Sequence, residues 1–154
     1  MGKRLLYLVF VIVLVSCGTK VSKNPESLIK EVELYSAKID SDKALETDII
    51  EGALTDTEGF EDIGKFKYTV FFNKETNELL KIKNLETTNK TITENYYFKN
   101  NKLSYFDSHS ENSKPKKIFI YNGKVVSTES VSAEEQKLFI AKAKRFQKAF
   151  NETH

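Results

Sequence analysis

The residues best equipped for chemistry are few: one cysteine, Cys17, two histidines, His109 and His154, and two acidic segments, "DTEGFED" at 56–62 and "DSHSE" at 107–111. In DSHSE, Asp107, His109 and Glu111 occupy alternate positions, so an extended chain puts them on one side as oxygen and imidazole donors for a divalent ion. No second histidine or supporting cysteine accompanies them, and their Ser, Asn and Lys surroundings read as a solvated hairpin loop over 107–114. A serine hydrolase needs triad members converging from separate segments, and the G-x-S-x-G elbow is absent. DTEGFED lacks the D-x-D-x-D-G ladder and the distant bidentate glutamate of a calcium loop, and no glycine-rich phosphate loop occurs. The expectation is no catalytic residue, no bound metal and no cofactor.

Cys17 has a more specific context. Lys3 and Arg4 precede an apolar run from Leu5 to Val15, and the small residue Ser16 follows it, the tripartite order of a secretory signal. Eleven apolar residues make a helix of roughly 16 Å, about half of a ~30 Å hydrocarbon core, too short to span. Met1-Gly2 lacks the Ser or Thr at position 6 of a myristoylation signal, where Leu6 stands. A lone cysteine also excludes an intrachain disulfide and a Cys-based zinc site.

Leu14-Val15-Ser16-Cys17 resembles the lipobox of bacterial lipoproteins. The resemblance implies diacylglycerol transfer to the Cys17 sulfur, which must act as a thiolate, then cleavage after Ser16 and acylation of the new amino terminus. Residues 1–16 are then a cleaved signal peptide, 17–24 a lipidated cysteine and its tether, and 25–154 a single domain. Two or three acyl chains hold a protein firmly where one does so marginally. Gly18 is similar to the default outer-membrane sorting context, so in a Gram-negative host the domain faces the periplasm.

Charge narrows the partners. The chain has 24 Lys and Arg against 22 Asp and Glu, and Lys3 and Arg4 lie in the signal segment, so everything after residue 16 is balanced. An interspersed, neutral body has no basic footprint for nucleic acid and little polybasic attraction to anionic lipid. The expected partners are the membrane, through Cys17, and an envelope protein or peptide.

The elements that must position any site follow from periodicity. Asn24 caps and Pro25 opens a helix over about 26–40, with Leu28, Val32, Tyr35 and Ile39 in one stripe beside Ile29. Residues 45–62 carry a weak pattern in which Ile49, Ile50, Ala53 and Leu54 fit a strand or a short helix, strand being preferred. After Gly64 the period becomes two: "KFKYTVFF", "LLKIKNLE", "TITENYYF", "LSYF", "KIFIY" and "KVVSTE" read as six strands in three hairpins, the last turned by Asn122-Gly123. "FKNNKLS" recurs as "IYNGKVV" 22 residues on, with "FFNKETNELL" a looser copy. These seven-residue echoes resemble short hairpin repeats of some bacterial β-rich surface and antitoxin proteins, and they support a meander. Ser132 and Glu135 form a capping box, and Phe139, Ala143, Phe146 and Phe150, with Leu138 alongside, make a second stripe to about Asn151.

The reading is α+β: an N-terminal helix, a six-stranded antiparallel meander and a C-terminal helix, the helices sharing one sheet face. Alternation assigns to that face Phe66, Tyr68, Val70, Phe72, Leu80, Ile82, Ile92, Tyr96, Phe98, Ile118 and Ile120, with Ile63 extending it. The opposite face is polar except for Phe71, Tyr97, Phe106, Phe119 and Tyr121. Aromatics on a solvated face stack on ligands or anchor partners. The chain therefore reads as a non-enzymatic, lipid-anchored envelope protein binding a protein or peptide through that open face. Small-ligand or glycan capture there is the alternative, and a hydrolase or metal protein around 107–111 the third.

Overall fold

A computed structural model describes residues 24–59 and 61–154. The signal segment and Cys17 lie outside the described residues. Helix α1 (Pro25–Ser41) is followed by seven strands, β1 (Glu46–Thr55), β2 (Asp62–Asn73), β3 (Glu78–Thr87), β4 (Thr91–Lys99), β5 (Lys102–Ser110), β6 (Lys116–Tyr121) and β7 (Lys124–Glu129), and by α2 (Ala133–Thr153). Each strand pairs antiparallel with its sequence neighbour, in one sheet ordered β1 to β7. The architecture is α+β, with seven strands where the alternation counted six. The added strand is β1, whose apolar and polar residues do not alternate cleanly because neither of its faces is buried.

Local chemistry fixes the ends. Asn24 accepts from the Glu26 amide ahead of Pro25, and Ser132 and Glu135 make both bonds of the capping box. Asn100 and Asn101, then Asn122 and Gly123, take positive φ at both central positions of two-residue turns, the geometry that matches strand twist.

The three echoing hairpins share more than their turns. In each, two residue pairs sit at the tip before the register shifts: Phe72 faces Leu79, Phe98 faces Leu103 and Ile120 faces Val125, and beyond them Leu80, Ser104 and Val126 are the extra residues of bulges. The bulge lets two consecutive residues face one side. All six paired apolar residues pack in one core beneath α2, while Leu80 and Val126 turn to the other side.

That second side is where the sequence reading needs correction, because the helices do not share a face. Val70, Leu79, Ile82, Tyr96, Phe98, Phe106, Ile118 and Ile120 pack against Phe139, Ala143 and Phe150 of α2. Val32 and Ile39 of α1 instead cover Tyr97, Tyr105 and Phe119. Leu80 belongs with α1, Leu79 replacing it under α2. Ile63 and Leu138, assigned to the core, are 53% and 57% exposed.

Candidate binding surfaces

The five aromatics expected on an open face are dispersed by the ladder. Tyr97, Tyr105 and Phe119 face one another across three strands, with ring centroids 5.4 and 5.0 Å apart. With α1 across them, Tyr97 is 3% and Phe119 0% exposed. Phe106 pairs with Tyr96 and Ile118 instead, so it points to the opposite side and stacks on Phe139 of α2 at 4.3 Å. Phe71 is half-buried, with the Lys81 ammonium 5.6 Å from its ring centre. Tyr121 borders a cleft. The five rings therefore do not form one open aromatic face: Tyr97 and Phe119 lie in the core under α1, Phe106 in the core under α2, and Phe71 and Tyr121 outside both.

Polar groups secure both helices. On the α1 side, Asp40 binds Lys81 at 2.5 Å and accepts from the Tyr97 hydroxyl at 2.9 Å, and the Tyr35 hydroxyl donates to the Phe98 carbonyl at 2.6 Å. Burial, reinforced by the charge of Glu78, pushes the Tyr35 phenol up to about 12. On the α2 side, Lys142 reaches both Glu86 and Glu94, and Glu94 Oε2 also accepts from the Asn84 amide at 2.9 Å and the Tyr96 hydroxyl at 3.0 Å. Burial pushes the Glu86 carboxyl up, and the Lys142 hydrogen bond, the Asn84 amide and the Lys142 charge outweigh it, so it sits below the ordinary range. These groups have their partners within the fold, which suits them to positioning elements.

The "DSHSE" stretch is not a loop: Asp107 to Ser110 complete β5, held there because Asp107 lies opposite Asn95 and accepts its amide at 2.9 Å. His109 Nε2 lies 2.9 Å from the same carboxylate oxygen. Glu111 falls in the following turn, and no group of three potential metal ligands occurs among the described residues. In the 56–62 segment, the Asp56 amide donates to the Glu61 carbonyl at 2.9 Å, and Asp62 opens β2.

Two surfaces stand out among the described residues. One is a cleft of about 450 Å³ between α1 and the tips of the β4–β5 and β6–β7 hairpins. Val32, Leu103 and Ile120 give it an apolar lining, Tyr35 and Tyr121 aromatic surface, and Lys102, Asn100 and the Glu31–Lys99 ion pair a polar lining. The other is the β1 margin. Ten residues long and paired only to β2, β1 leaves one row of backbone groups unpaired, and Ile49 and Ile50 are 56% and 36% exposed. An open groove of about 710 Å³ adjoins it, lined by Glu51, Ala53, Lys65, Lys67, Leu85 and Thr87 among others. Sequence reasoning passed over this margin because it looked for alternation, and an uncovered edge strand has none.

Comparison of the chain with family models, curated proteins and solved structures finds no match. Function therefore rests on these surfaces alone.

Proposed function

We propose that this chain is a lipid-anchored cell-envelope protein, attached through Cys17, whose α+β domain is a non-enzymatic module that binds another envelope protein or peptide along β1. The observation that supports the binding part is the free β1 edge, with Ile49, Ile50 and Ile63 exposed beside it. An edge of this kind recognises an extended segment by main-chain hydrogen bonds, with side-chain contacts on alternate residues supplying selectivity. For the attachment, the lipobox-like residues 14–17 are the support. Among the described residues, no helix is long and apolar enough to cross a membrane.

In-cell photo-crosslinking tests the edge. A photoreactive residue at Ile49 should give a discrete adduct, and one at Leu138, equally exposed on α2, should not. Adducts at both positions, or at neither, would remove the reading. For the anchor, Cys17→Ser should abolish fatty-acid labelling and leave the precursor unprocessed; undiminished labelling would refute it.

A second reading, small-ligand or glycan capture, is favoured by one observation: Tyr35 and Tyr121 line a concave cleft of ligand size. Tyr121→Ala should then abolish binding in a glycan panel with unfolding unchanged.

A further inference from the structure

We infer that the occupant of the β1 edge is an extended segment rich in Lys or Arg, laid alongside β1 as an additional strand. This rests on the proposal that β1 is the docking edge, and goes beyond it by naming the partner's chemistry. Residues 44–64 hold seven carboxylates, Glu46, Asp48, Glu51, Asp56, Glu58, Glu61 and Asp62, and no Lys or Arg, in a chain that carries 22 lysines elsewhere. The charge is thus separated: β1 and its turn are uniformly acidic within a body that is neutral in sum. Along β1 the carboxylates fall on both faces, with Glu46 and Asp48 directed to the α2 side of the ladder and Glu51 to the α1 side. A strand added beside β1 meets acid on either face, whichever way its side chains alternate.

The carboxylates of β1 are available to a partner. Glu51 pairs with Lys67 at 2.8 Å, Glu46 with Lys74 at 3.0 Å and Asp48 with His154 at 2.8 Å, and the carboxylate side chains of these pairs are 60%, 47% and 52% exposed. The Glu51 and Glu46 pairs are solvated on both partners, and such pairs contribute little and exchange easily, whereas His154 in the third is only 17% exposed. Natural edge strands are commonly protected by Lys or Pro, and β1 contains neither. A second copy of this chain is the wrong occupant electrostatically. Self-association along this edge would bring two copies of Glu46, Asp48 and Glu51 together with no Lys or Arg on either strand to offset them, and such like-charge juxtaposition is unfavourable.

The test uses the full lipidated protein in non-ionic detergent with two fluorescent peptides of about ten residues, the length of β1, one alternating Lys with Val and one alternating Glu with Val. The Lys peptide should bind at least about tenfold more tightly, and weaken severalfold when salt rises to about 0.5 M. Glu46→Gln, Asp48→Asn and Glu51→Gln together should cost at least about tenfold in affinity with melting unchanged. Of Ile49→Pro and Ile50→Pro, one removes an outward N–H and the other a bond to β2, because ladder bonding alternates. The variant that retains normal melting should abolish binding.

Equal binding of both peptides, still blocked by that proline, overturns the basic-partner inference while the edge reading survives. Lys-peptide binding that ignores the proline overturns both, since the cations then meet acidic surface rather than a strand edge. Binding of neither peptide overturns the inference, as does a proline-sensitive dimer in sedimentation, which would make a second copy the occupant.

Discussion

Tyr97 and Ile49 project from the same side of one sheet, on β4 and β1, and yet Tyr97 is 3% exposed and Ile49 56%. The backbone treats them alike. What differs is the layer above: α1 packs across the aromatic row of β4 to β6, and the β1 margin lies outside that cover. The comparison shows that a ring on a strand's solvent-side register says little about function until the second helix is placed. It also shows that two adjacent isoleucines, Ile49 and Ile50, are left exposed where the sequence pattern is weakest, on a strand without alternation and without a lysine.

The contrast can be broken from the covered side. Phe106→Ala, which removes a fully buried ring stacked on Phe139, should cost about 4 kcal/mol in denaturant unfolding. Lys142→Ala leaves Glu94 buried without its cation and should cost about 3 kcal/mol, with Lys142→Met no better because the carboxylates remain. Tyr35→Phe deletes the hydrogen bond from α1 to the β4 carbonyl and should cost about 1 kcal/mol. The pH dependence follows from Glu86: its folded value lies below the ordinary 4.5, so its stabilisation is complete above that value and is lost as the pH falls through the lowered folded value. In Lys142→Ala that acid-side loss should shrink. On the uncovered side, Ile49→Ser should change stability by no more than about 0.5 kcal/mol. A larger loss would mean that β1 is covered.

Much of the frame was legible from residues. Asn24-Pro25 and the Ser132/Glu135 box located both helix starts, and the "NNK" and "NGK" echoes located hairpins that prove to share a tip and a bulge. The helix sides were not legible, because an amphipathic stripe such as Val32 and Ile39 states that a helix needs an apolar surface and not which one. Bulges hid the rest. Leu79 and Leu80 are adjacent apolar residues, and only the shift between Phe71 and Phe72 decides which joins which core. Phe106 was misplaced for a related reason: its side is set by the register against Tyr96, which no local pattern encodes. Asp107 and His109 were correctly read as sharing one side, and they meet on a strand rather than in a loop.

The most direct test compares two double variants of the full chain by thermal unfolding: Tyr97→Ser with Phe119→Ser, and Ile49→Ser with Ile63→Ser. Removing the two rings beneath α1 should abolish cooperative melting or lower it steeply, whereas removing the two exposed isoleucines should move the midpoint by no more than about 2 °C. An unchanged midpoint for the tyrosine–phenylalanine pair, with collapse of the isoleucine pair, would contradict the assignment of covered core and open edge.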